Sequence, residues 1–205
     1  MIANEERLNA LSHALGIFLG LIGFVVLLVS IDQHVQYSVF STIVYSITVL
    51  LLFTASTIYH GTRDGELKRK LRILDHISIY YLIAGTYTPV TLYMLENTSG
   101  WPIFYAVWGI AALGTLLKLF FTGRFEILST LLYLVMGWLI VLDLDNLRAV
   151  TSTIGINSLF LGGGFYSIGI VFYVVKQIPY NHLIWHLFVL AGTGCHWFFI
   201  FYDVV

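Results

Sequence analysis

The stretch His182-Leu-Ile-Trp-His186-Leu-Phe-Val-Leu-Ala-Gly-Thr-Gly-Cys-His-Trp-Phe-Phe-Ile-Phe201 decides the fold. It holds 20 residues without Asp, Glu, Lys or Arg. As a helix, such a run crosses a hydrocarbon core of about 30 Å. Its first turn carries two histidines four residues apart, offset by about 40° and one turn along the axis, so both rings leave one face. Two imidazoles on one face are half of a metal site. Ionisable groups at the edge of a membrane-embedded run are costly and are functional candidates by default. The other ligands have to come from elsewhere in the chain.

Composition extends the membrane reading to the whole chain. Of 205 residues, 59% are hydrophobic and 10% charged, against roughly 25% charged in soluble domains. A lone cysteine, Cys195, excludes an intramolecular disulfide and a multi-cysteine zinc module. Neither a Gly-rich phosphate loop nor a basic–aromatic patch is present, so no nucleic acid partner is expected. Residues 1–10 hold Glu5, Glu6 and a single Arg, and do not read as a cleaved signal.

Seven apolar runs approach spanning length, at about 11–30, 39–59, 76–95, 102–121, 127–142, 154–175 and 182–201. Ile31-Asp-Gln-His34, residues 96–100, 122–124 and 178–181 carry loop signals. Pro89, inside the third run, should kink it or free a carbonyl near Gly85. The runs are too long for strands and lack their alternation. The expectation is an all-α membrane protein, a seven-transmembrane helix bundle forming a single domain over residues 1–205. Seven spans put Arg7, Arg63, Lys68, Arg69, Lys70, Arg72, Lys118, Arg124 and Lys176 on one side and only Arg148 on the other. That asymmetry predicts a cytoplasmic N-terminus and an outside C-terminus. Seven spans make the expected location that of a multi-pass integral membrane protein.

This topology brings scattered polar residues to one membrane face. Span two ends Ser56-Thr-Ile-Tyr-His60, span three begins Asp75-His76, span seven begins with His182 and His186, and span one starts there too, with Glu6, Asn9 and His13. His60, His182 and His186 together suit Zn²⁺ in a site that leaves a fourth position open to water. Copper is less suited, with no Cys or Met at a matching position; iron stays open. Three neutral imidazoles leave the dication uncompensated in a low dielectric, and Asp75 is the nearest anion. Zinc lowers the pKa of a bound water towards about 7. Asp75 can then act as general base and acid. Ser56, four residues before His60, faces the same site and can orient water or donate to an oxyanion.

Ser56-xxx-His60, Asp75 and His182-xxx-His186 in that order resemble the progestin and adiponectin receptor (PAQR) family, whose bacterial branch is the haemolysin III proteins. Glu6-xx-Asn9-xxx-His13 is similar to that family's N-terminal signature. The resemblance covers nearly the whole chain. It implies zinc held by His60, His182 and His186 in the cytoplasmic half of the bundle, with a water between zinc and Asp75. The wider superfamily includes ceramidases, which cleave lipid amides.

Plainer roles compete. His34 and His76 read as polar residues of the membrane interface. His13, with Asn9 and Glu6, is expected to pack behind the ligands. His196, about 15 Å beyond His186 along the helix, is expected to hydrogen-bond within the bundle. Asp75 can also be a charge favoured by a helix N-terminus. Gly162-Gly-Gly164 fits close helix approach. The basic cluster at 63–72 reads first as a topology determinant. The leading functional expectation is a zinc-dependent hydrolase of a lipid amide or ester, with Asp75 and Ser56 catalytic, membrane lipid as substrate or ligand, and a role in lipid homeostasis. The second is a non-catalytic sensor of membrane state with a structural zinc site. A third, a transporter, requires a polar trail to both faces.

Overall fold

The computed structural model describes residues 2–32, 34–63 and 65–205; Gln33 of the first loop signal lies outside them. The described residues form helices and turns, with no strand among them. The helices are α1 (Ile2–Ser30), α2 (Ser38–Gly61), α3 (Glu66–Pro89), α4 (Gly100–Phe121), α5 (Glu126–Gly137), α6 (Leu144–Val150), α7 (Thr153–Val174) and α8 (Asn181–Phe199). Among the described residues, six stretches are long and apolar enough to cross a membrane: 4–30, 38–61, 100–121, 126–150, 153–174 and 181–204. The protein is a multi-pass integral membrane protein.

The third expected run does not reach that standard of apolarity, and its surroundings explain why. From His76 to Pro89, α3 buries His76, Ser78, Tyr80, Thr86, Tyr87 and Thr88 alongside its aliphatic residues. Inside the bundle these groups find partners that lipid cannot offer. Thr86 and Thr88 donate to carbonyls one turn back, at Leu82 and Ala84 (both 2.8 Å). Trp108 Nε1 of α4 donates to Thr88 Oγ1 at 3.2 Å. α3 packs against α2, α4 and α5. Gly85 admits the close approach of α2, since a Cβ there would lie 2.8 Å from Cβ of Thr48.

Neighbouring helices close a ring: α1 on α2, α2 on α3, α3 on α4, α4 on α5, α5 on α7, α7 on α8, and α8 back on α1. The last contact brings the first turns of α1 and α8 together. Two helices start earlier than the apolar runs suggested. α1 takes in Glu5, Glu6 and Arg7, and α3 takes in the charged segment from Glu66 to Arg72, because Glu, Lys and Arg are good helix formers whatever their hydropathy. At Pro89 the α-helix gives way to a π-helical turn, Val90–Met94. The fifth run breaks after Gly137 into a 3₁₀ turn, Leu139–Asp143. Tyr87 staples that break: its hydroxyl donates to Gly137 O and accepts from Ile140 N, both at 2.9 Å.

Candidate metal centre

α8 begins after Tyr180, which sits at φ 55°. Asn181 anchors this start to the last turn of α7 by donating to Phe172 O at 2.8 Å. His182 and His186 thus open α8 against the end of α2, where His60 stands. His60 and His186 are buried and His182 is half-buried; their ligating atoms lie within 4.8 Å of one another. Two nitrogens on a tetrahedral zinc stand roughly 3.4 Å apart, so small side-chain rotations suffice. The ring centroids are 5.0 Å apart for His60–His182, 4.9 Å for His60–His186 and 4.7 Å for His182–His186.

Groups behind two of the rings set which nitrogen faces inward. His60 Nδ1 is 3.3 Å from Glu6 Oε2, and His186 Nδ1 is 3.2 Å from the carbonyl of Asn9. A carboxylate and a carbonyl only accept, so in each ring Nδ1 carries the hydrogen and Nε2 keeps its lone pair. His60 Nε2 is buried with no hydrogen-bond partner. A bare imidazole nitrogen facing two other histidines, oriented by a carboxylate behind it, is the donor arrangement of a metal-binding histidine. The cluster fits a metal ion.

The other expected site residues gather here too. Ser56, Asp75, His13 and His76 join His182 and His186 in lining a cavity of about 20 Å³, room for about one water. Ser56 is 1% exposed. Its hydroxyl lies beside the Asp75 carboxyl without completing a hydrogen bond to any group. Asp75 lies outside the trio of converging donors. His13 stacks face to face on His186, centroids 3.6 Å apart and planes 13° apart. Neither of its nitrogens has a partner. Asn9 works through its backbone carbonyl, while its side-chain Oδ1 is unpartnered.

Some roles differ from the expectation. His76, read as interfacial, is 7% exposed and lines the cavity. Ser12 was not singled out, yet its Oγ is 3.2 Å from His186 Nδ1; its i+3 relation to Asn9 on the same helical face was the available signal. Lys68, counted only as a topology charge, donates to Glu6 Oε2 at 2.6 Å. It thereby ties the charged start of α3 to the carboxylate that orients His60. His196 Nε2 donates to Leu159 O at 3.1 Å, within the bundle as expected. Within the run Gly162-Gly-Gly164, only Gly162 meets the close approach foreseen, a Cβ there clashing with the His196 ring.

A model of the family described as "Haemolysin-III related" matches residues 1–197. The chain belongs to the haemolysin III family. It is 40% identical over 202 residues to the hemolysin-3 homolog of Bacillus subtilis, covering 98% of this chain and 95% of that protein. To hemolysin-3 of Bacillus cereus it is 37% identical over 202 residues, covering 98% and 92%. Human monocyte to macrophage differentiation factor is 27% identical over 207 residues, covering 96% and 83%. No solved structure matches the chain. The resemblance drawn from His60, Asp75 and the paired histidines of α8 thus extends across haemolysin III and PAQR-type relatives. The inner membrane is the expected location for this bacterial branch.

Proposed function

We propose that this haemolysin III protein is a zinc-dependent hydrolase of a lipid amide or ester, serving membrane lipid homeostasis. In this reading α3 is the seventh crossing helix of a single bundle. The N-terminus is then cytoplasmic and the C-terminus outside, as the distribution of nine basic residues against one favours.

His60, His182 and His186 would hold the zinc, which when bound supplies Lewis acidity and activates water. Glu6 and the Asn9 carbonyl keep two of the three rings turned with Nε2 inward. Asp75 is placed to accept a proton from a water in the cavity and return it to the leaving group. Ser56 Oγ, beside the Asp75 carboxyl, can turn to donate to that water or to a developing oxyanion. The observation that carries the proposal is this hydroxyl and carboxyl in the same small cavity as two of the histidines. A lipid substrate is favoured by a second, apolar cavity of about 90 Å³. It shares Leu52, Ile79, Trp185 and Val189 with the first.

The test is metal analysis of purified protein together with hydrolysis of ceramide and phospholipid substrates. Wild type should carry one zinc and turn over a lipid; His182→Ala should lose both. Stoichiometric zinc with no turnover on either class removes the enzyme reading. The sensor with a structural zinc then stands, a reading favoured by a cavity that admits a water but no substrate group.

A further inference from the structure

The turn between α2 and α3 borders a groove of about 400 Å³, lined by Tyr59, Gly65, Glu66, Lys68, Arg69 and Arg72. That volume is within the range of ligand sites, roughly 300–1,000 Å³. Positions 65, 68, 69 and 72 follow the i, i+3, i+4, i+7 spacing of one helical face. The face that α3 turns to the groove therefore carries three cations. Segment 63–72 as a whole holds five basic and two acidic residues.

The cations differ in how far they are already neutralised. Lys68 gives its ammonium to Glu6 and lies 5.2 Å from the centroid of the Tyr59 ring. Arg72 is 3.4 Å from Glu126. Glu66, the acid of the groove wall, is engaged at 2.9 Å by Lys70, which does not line the groove. The exposed Arg69 guanidinium has no ion pair among the described residues. The groove thus has an excess of positive charge, concentrated on a planar, five-donor group suited to phosphate oxygens. It stands where apolar α2 ends, at the level of lipid headgroups.

We propose that this groove binds the phosphodiester headgroup of an anionic membrane phospholipid, with Arg69 as its principal contact. The site does not depend on whether the metal centre is catalytic. A membrane lipid is the occupant because the groove opens at the end of a membrane-crossing helix, where lipid phosphate is the concentrated anion.

Arg69 and Lys70 are neighbours of like charge, both exposed, one inside the groove and one outside. Diffuse attraction to an anionic surface treats them alike, at about one five-fold factor in affinity per basic residue; a built site does not. Purified full-length protein in neutral detergent is titrated with short-chain phosphatidylglycerol and phosphatidylcholine, and complexes are counted by native mass spectrometry. Wild type should prefer phosphatidylglycerol. Arg69→Gln should lose about five-fold in that affinity, and Lys70→Gln should stay within two-fold of wild type. Equal losses in the two variants, or none in Arg69→Gln, overturn the site. Inorganic phosphate displacing phosphatidylglycerol at equal concentration overturns the assignment to lipid.

Discussion

The two ends of the bundle treat their ionisable groups in opposite ways. At the end opposite the histidines, two carboxylates, Asp143 and Asp203, are held by donors on both sides. Asp143 accepts from Thr98 Oγ1 at 3.0 Å and Asn146 Nδ2 at 2.6 Å. Asp203 accepts from Ser152 N at 3.1 Å and Ser152 Oγ at 3.0 Å, fixing the start of α7 to the end of the chain. Among the described residues the open buried polar atoms in that half include the Tyr45, Ser46, Ser99 and Thr151 hydroxyls and Trp197 Nε1, none of them a carboxylate or an imidazole. At the histidine end, buried nitrogens of His13, His60 and His76 and the Ser56 hydroxyl all lack partners. Unsatisfied buried groups are expensive, and a fold that satisfies them at one end has the means to do so at the other. The open valences lie where the proposed metal ion and its water would complete the structure. The saturated ones mark where the chain is simply fastened.

Substitutions should separate the two ends cleanly. The largest effect is expected for His186→Ala, which removes a converging donor: the zinc proposed for the wild type should fall to below detection by elemental analysis, with the purified protein still folded. Glu6→Ala comes next, lowering zinc affinity about 10–100-fold in chelator competition. Glu6→Gln should lose less, because an amide oxygen still accepts from His60. Asp203→Ala should leave zinc content unchanged while destabilising the protein by about 1–3 kcal/mol in thermal unfolding, since it strands the Ser152 donors. Thr98→Val removes one of two donors to Asp143 and should cost about 0.5–1.5 kcal/mol, again with full zinc. Loss of zinc in the Asp203 variant would erase the distinction between the ends.

Much of this was legible in the sequence, for identifiable reasons. The i, i+4 spacing of His182 and His186 fixes their common face before any tertiary contact is known. Alternating helix direction, together with the distribution of Lys and Arg, was enough to bring His60 and Asp75 to them. What escaped was set by tertiary contact. Hydropathy sees the apolar core of a helix and not its charged extension, so α1 and α3 began at 2 and 66 rather than 11 and 76. The break after Gly137 depends on Tyr87, 50 residues away, and no local signal encodes it. His76 looked like an interface residue because a histidine at a run's edge usually is one; packing of α3 against α2, α4 and α5 turned it inward.

The polarity of α3 has a consequence for how the protein is made. Tyrosines, threonines and a histidine that rest comfortably among neighbouring helices would be poorly tolerated by bare lipid. Residues 76–89 therefore gain little by entering the bilayer alone during synthesis. As the proposed seventh crossing helix, α3 should insert only with α2 and α4, so that the segment carrying Asp75 reaches its place as the surrounding wall assembles.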